Sequence, residues 1–357
     1  MCTKLYLYYG YAKLKLCNQY KFYFILVLAC VLANNVIADQ GKNNTATCTR
    51  NTGPIGISPA YWSDPSKTKI ALAKQGFNKI NFVTRDGKSL VAHIYRPSRF
   101  NPKNGPIWFV MHGINRNAND YIKTAAPVAE RYQALTIVIE FSRRHYPTSE
   151  DYTLGITTNG RANNRAAKEG RYRRPENYLY NEIERVFEAI RLEFSGKQHG
   201  YYLFGHSAGA QFTQRMLTFV PCARVLGAVS ANAGWYTLPE QGNNLSMPYS
   251  LRGGPSTASD IKALLSAPLT LLLGTKDIKG PEIDRNVRKS SAAMAQGSNR
   301  LARGKNYFEI GQSLARSMNV CFGWQLVLEP GAGHNVKQVI ESAGHLLFAV
   351  KPKPSCT

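Results

Sequence analysis

Tyr201-Tyr202-Leu203-Phe204-Gly205-His206-Ser207-Ala208-Gly209 is a short apolar run that ends in a glycine-flanked serine. The run suits a strand buried on both faces, and residues 208–219 read as a helix. A strand that turns at once into a helix through Gly-x-Ser-x-Gly strains its backbone at the serine. The glycines let strand and helix pack closely, and the hydroxyl is presented at the carboxyl edge of a sheet, with the helix N-terminus aimed at it. This turn predicts a doubly wound, mostly parallel α/β sheet with helices on both faces, and it makes Ser207 the candidate nucleophile.

The chain on either side agrees. Residues 107–111, 135–139, 225–229, 269–273 and 325–328 are further continuous apolar runs without alternation, as buried parallel strands require. Residues 80–83 and 90–95 flank Asp86-Gly87 and predict an N-terminal antiparallel hairpin. Ile183, Val186, Phe187, Ile190 and Phe194 recur at helical spacing within 177–194, with Pro175 just ahead, and 335–348 also reads as a helix. Strands alternating with helices give the α/β class, with a catalytic domain over 78–350, a polar arm over 39–77 and a short tail over 351–357. Segments 142–175 and 236–260 break the alternation and read as loops inserted above the sheet. The first carries Arg143, Arg144, Arg161, Arg165, Lys168, Arg171, Arg173 and Arg174. Long loops of this kind serve as lids and binding loops or form solvated variable surface.

Three more motifs follow strands. Met111-His112-Gly113-Ile114-Asn115 comes after one of them. Acyl transfer puts negative charge on a carbonyl oxygen, which needs two preorganised N–H donors. The expected donors are the backbone N–H groups of Ala208 and Ile114, with Asn115 contributing to or shaping the loop; His112 is expected to bond loop carbonyls rather than act as a base. Leu271-Leu272-Leu273-Gly274-Thr275-Lys276-Asp277 is a strand ending in an acid, and Pro330-Gly331-Ala332-Gly333-His334 follows the last strand. The order Ser207, Asp277, His334 suits a triad on this fold, with His334 as base and Asp277 holding its tautomer. Glu282 and Asp284 are rival acids farther from the strand end.

These motifs resemble the α/β-hydrolase superfamily over roughly residues 78–348. The nearer likeness is to secreted bacterial esterases related to polyhydroxybutyrate depolymerases and feruloyl esterases. It rests on His112-Gly113, Gly205-His206-Ser207-Ala208-Gly209, Ala233-Gly234-Trp235-Tyr236 and Gly333-His334. The resemblance implies a serine hydrolase of carboxylic esters, hydroxyacid oligomers among them, with no cofactor; the sequence holds no CxxC and no Cys/His cluster at zinc-ligand spacing, so no metal is expected. It also implies that Trp235 and Tyr236 line the acyl pocket; Asn115 and His206 complete the substrate-binding candidates, His206 being read as a packing and hydrogen-bonding residue of the turn. The same triad serves acyltransferases and serine peptidases, and the fold also serves as a non-catalytic binder of anionic surfaces.

Composition limits the remaining choices. The 357 residues carry 45 Lys+Arg against 22 Asp+Glu, a formal net charge of +23, and 44% are hydrophobic, enough for a large core. The excess charge attracts anionic polymers, acidic substrates and anionic surfaces, but no nucleic-acid-binding module appears. Lys4, Lys13, Lys15 and Lys21 precede an apolar run over 22–32, and Val36-Ile37-Ala38 follows. This reads as a secretory signal over 1–38, cleaved after Ala38, so the protein is expected to be secreted or periplasmic, with no transmembrane segment in the mature chain. Cleavage would leave Cys48, Cys222, Cys321 and Cys356, an even number suited to two disulfides in an oxidising compartment. Cys48 with Cys356 would tie the termini together and Cys222 with Cys321 would brace the core, but three pairings are possible and the sequence does not choose among them.

Overall fold

A computed structural model describes residues 57–158, 171–241 and 244–350, together with two short strands near the N-terminus. Those strands, Tyr6–Tyr9 and Ala12–Lys15, pair antiparallel within a unit of their own, Met1–Cys48. The apolar run of the expected signal, Cys48, Cys356, the 351–357 tail and the basic residues Arg161, Arg165 and Lys168 lie outside the described residues.

The larger unit is built on a nine-stranded sheet. Its strands are β1 (Tyr61–Trp62), β2 (Gly76–Val83), β3 (Ser89–Arg96), β4 (Ile107–Met111), β5 (Leu135–Ile139), β6 (Tyr201–His206), β7 (Val225–Ala231), β8 (Leu269–Gly274) and β9 (Gln325–Glu329). Across the sheet the order is β9-β8-β7-β6-β4-β5-β3-β2-β1. The six strands from β9 to β5 run parallel and the last three antiparallel, so the predicted hairpin is β2–β3, in register from Gly76 opposite Arg96 to Val83 opposite Ser89.

Side chains of successive strand residues point to opposite faces, so each inner strand feeds two cores. Trp108 and Val110 join Phe204, Val229 and Leu272 beneath α2 (Ala118–Tyr132) and α9 (Ile340–Phe348). Ile107, Phe109 and Met111 join Leu203 and Leu271 beneath α4 (Asn181–Glu193), α5 (Ala208–Phe219), α6 (Ala258–Leu265) and α8 (Arg300–Ser317), which the short α7 (Ser291–Met294) precedes. Burying each large apolar side chain contributes about 1.5–3 kcal/mol, which is why both faces must be covered.

Several boundaries differ from the sequence reading. The described part of the expected arm holds regular structure: β1 pairs with β2, and α1 (Pro65–Ala73) follows β1, with Asp64 accepting the Lys67 N–H at 3.0 Å and Pro65 in its first turn. The helix expected over 177–194 is a 3-10 turn, Pro175–Asn177, followed by α4, because Tyr178 is extended. That expected over 335–348 is likewise a turn, Val336–Gln338, and then α9. The 142–175 loop is partly core. It holds α3 (Ser149–Thr153), whose start is fixed by a reciprocal Thr148–Asp151 cap, and it buries Tyr146 and Tyr152 completely. No described helix is long and apolar enough to cross a membrane.

Candidate active site

Parallel pairing brings the strand ends together. Met111 sits opposite Gly205, His206 opposite Ala231, Leu272 opposite Ala231, and Gly274 opposite Glu329. The segments leaving β4, β6, β8 and β9 therefore meet at one edge, where ligands bind in open α/β sheets.

Ser207 turns the chain from β6 into α5 at φ 59° and ψ −117°, a backbone that costs a non-glycine residue on the order of 1–3 kcal/mol. Two backbone bonds hold it there: its N–H donates to the Ala231 carbonyl at 3.0 Å, and its own carbonyl accepts the Gln211 N–H at 3.1 Å. The glycines do what the sequence requires of them. A Cβ at Gly205 would lie 2.1 Å from the Gly209 carbonyl oxygen, and one at Gly209 would lie 2.1 Å from that of Met111.

His334 joins the two other groups. Its Nδ1 is 2.8 Å from Asp277 Oδ2, and its Nε2 is 2.9 Å from Ser207 Oγ. A carboxylate only accepts, so the proton is assigned to Nδ1, which leaves Nε2 free to accept the serine proton. Asp277 is buried and His334 a quarter exposed, so the acid is shielded while the base faces the site. Of the rival acids, Asp284 bonds Arg300 rather than His334, and Glu282 is exposed.

The loops that carry this trio are tied together. Lys276 donates its N–H to the Ala332 carbonyl at 2.8 Å, and Gly331 donates to Thr275 Oγ1 at 2.8 Å. Asn232, buried at φ 52° just after β7, accepts the Gly274 N–H at 2.9 Å and donates to the Gly333 carbonyl at 3.2 Å. Sequence reasoning missed Asn232; an asparagine one residue beyond a buried strand was the available signal, since Asn tolerates the left-handed region.

The loop after β4 passes beside the serine. A Cβ at Gly113 would lie 3.9 Å from that of Ser207. Ala208 is the first residue of α5, and the first N–H groups of a helix have no acceptor within it. Ile114 is half-buried and Asn115 is exposed on the same loop. Arg116, also missed, braces this loop: its buried guanidinium donates to the carbonyls of Phe141 at 2.7 Å and Thr148 at 2.8 Å and lies 4.4 Å from the Tyr152 ring centre. His112 is structural, as expected. Its Nδ1 is 3.1 Å from the Gly113 carbonyl oxygen, and its Nε2 accepts the Phe141 N–H at 3.3 Å. Burial, with Arg116 nearby, pulls its pKa down to about 3.

The residues expected to line the pocket are buried. Tyr236 is fully buried, stacked on Tyr307 with ring centres 4.4 Å apart, and belongs to the core over α8. Trp235 is 5% exposed, its ring against Tyr249 at 4.5 Å and the Arg215 guanidinium at 4.1 Å. Both rings are engaged in packing, Trp235 beneath the buried Arg215 guanidinium and Tyr236 against Tyr307. His206 is buried too, its Nδ1 3.0 Å from Tyr121 Oη, so it supports the turn rather than presenting an edge to solvent. A cleft of about 870 Å³ opens beside His334, lined by Gly333, Gln338 and the 276–286 segment.

A glycine-flanked serine on a strand-to-helix turn, bonded to a histidine on a later loop, defines a hydrolase of the α/β-hydrolase fold. Poly(aspartic acid) hydrolase-1 from Sphingomonas sp. KT-1 is similar to this chain at 34% identity and a TM-score of 0.71, over 77% of this chain and 99% of that one. LpqC, a poly(3-hydroxybutyrate) depolymerase from Bordetella parapertussis, is similar at 31% identity and a TM-score of 0.72, over 81% and 96%. No protein-family model and no curated protein matches the chain. The chain belongs to the α/β-hydrolase superfamily, in the branch of esterase- and depolymerase-like serine hydrolases that holds these two enzymes.

Proposed function

We propose that this protein is an exported serine hydrolase that cleaves carboxylic esters, hydroxyacid oligomers among them, through Ser207, His334 and Asp277. The observation that carries the reading is the unbroken pair of hydrogen bonds from Ser207 Oγ through the His334 ring to Asp277. His334 Nε2 takes the hydroxyl proton as Ser207 Oγ bonds to the substrate carbonyl carbon. The resulting oxyanion is held by the N–H groups of Ala208 and Ile114. Collapse expels the alkoxide, which receives the proton from His334 Nε2, and leaves an acyl-serine. Water, deprotonated by the same imidazole, then releases the acid and restores Ser207. Asp277 stabilises the imidazolium at each stage.

Amide substrates are a second reading. The similar poly(aspartic acid) hydrolase is named for an acidic polyamide, and the excess of Lys and Arg over Asp and Glu, 45 against 22 in the whole chain, favours an acidic substrate. Export rests on the basic and then apolar composition of residues 1–38. The same reading puts Cys222 and Cys321 in disulfides, which persist in an oxidising compartment.

A p-nitrophenyl ester series from acetate to long chains, run beside oligomers of hydroxybutyrate and of aspartate, tests the assignment. Ester turnover that disappears in Ser207→Ala supports it, and the chain-length optimum sizes the acyl site. Aspartate oligomers cleaved at a rate comparable to the esters would favour the amide reading, and equal turnover by Ser207→Ala would overturn both.

A further inference from the structure

Arg300 is the first residue of α8, and its side chain is 2% exposed. Its guanidinium spans two carboxylates: Nη1 is 3.1 Å from Asp277 Oδ1, and Nη2 is 2.8 Å from Asp284 Oδ2. Asp277 uses its other oxygen, Oδ2, for His334. The helix end adds a backbone tie, the Leu301 N–H donating to the Asp277 carbonyl at 3.3 Å. We infer that Arg300 is a positioning residue for the reaction, clamping Asp277 so that one oxygen aims at His334 and setting the charge that His334 feels. The inference rests on the functional reading above.

The surroundings leave this task to Arg300. His206, whose ring lies against His334, is buried and held neutral; Tyr236, near Asp277, is buried and its phenol pushed up. Arg303 spends its guanidinium on the carbonyls of Gly297, Gly234 and Arg288. Lys276, Lys279, Glu282 and Arg285 line the adjacent cleft with exposed side chains. The four side chains therefore stand in a row, His334, Asp277, Arg300 and Asp284, with Asp284 holding the guanidinium from the side away from Asp277.

Opposite shifts follow for two substitutions. Removing the cation in Arg300→Met makes the His334 imidazolium easier to form, so the acid limb of kcat/KM moves up by about one pH unit. Removing the outer anion in Asp284→Asn strengthens the net effect of Arg300, and the limb moves down by about half a unit. Arg300→Lys keeps the charge but loses the two-pronged grip, so kcat falls while the limb stays near its wild-type place.

The experiment records these pH profiles on the full chain. It also follows the His334 imidazole by NMR titration in a Ser207→Ala background, which needs no turnover. Opposite shifts for Arg300→Met and Asp284→Asn, in either readout, support the inference. Lower activity with unmoved limbs and an unmoved His334 titration overturns it. If Arg300→Met does not fold, Asp284→Asn and Arg300→Lys decide by the same criteria. Turnover that survives Ser207→Ala would refute the functional reading separately, and the NMR titration would still judge Arg300.

Discussion

The imidazole of His206 lies against that of His334, ring centres 4.8 Å apart, while its Nδ1 reaches Tyr121 Oη at 3.0 Å. The residue before the nucleophile therefore supports the base from behind. Burial, reinforced by His334 and Arg300, keeps His206 neutral, so it adds packing without adding charge. His206→Ala should lower kcat about tenfold with KM little changed and cost about 2–3 kcal/mol of stability. Steady-state kinetics and denaturant unfolding check both numbers, and an unchanged kcat would remove His206 from the account.

Gly209 fixes how closely α5 approaches β4. Its added Cβ would meet the carbonyl oxygens of Met111 at 2.1 Å and His112 at 2.8 Å, backbone atoms that cannot rotate away. Gly209→Ala should cost about 3 kcal/mol or more and lower the thermal midpoint accordingly. A variant as stable as the wild type would mean the helix has slack at this contact.

His112 makes stability depend on acid. Its folded pKa of about 3 lies below its ordinary value of 6.5, so below that value the unfolded chain binds the extra proton. The stabilisation is complete above about pH 6.5 and is lost as pH falls toward 3. A His112→Gln variant, compared with wild type from pH 8 to pH 4, should show a shallower loss of stability on acidification. Parallel curves would contradict the neutral, doubly bonded imidazole.

Asp277 and Asp284 share Arg300 but not His334. Asp277→Asn turns a pure acceptor into a group that can present a donor to Nδ1 and favours the wrong tautomer. It should reduce kcat by about 10³–10⁴. Asp284→Asn should stay within about tenfold of wild type. Comparable losses in the two would mean that the acid has been misassigned.

Much of this arrangement was legible in the sequence, for local reasons. Buried parallel strands are runs such as 107–111 and 269–273, and each site residue lies within five positions of a strand end. What escaped the reading depends on contacts distant in sequence. α2 begins without a side-chain cap and contains Pro127, which argues against a helix. α8 buries Arg300, Arg303, Gly304 and Gly311 beside Tyr307 and Ala315, so charged residues and glycines interrupt the apolar stripe that would reveal it. Arg300 looks like any surface arginine until Asp277 and Asp284 are folded around it. Trp235 and Tyr236 follow a strand, as pocket residues do, but only the fold shows Arg215 and Tyr307 claiming their rings.

The most direct test of the account is covalent labelling with a serine-directed fluorophosphonate, the modified residue being located by peptide mass mapping. One adduct per chain is expected, on Ser207. Labelling should be abolished in Ser207→Ala and slowed at least a hundredfold in His334→Ala, because the hydroxyl loses its base. An unlabelled wild-type protein, or labelling that persists in Ser207→Ala, would contradict the assignment of Ser207, His334 and Asp277 as the working triad.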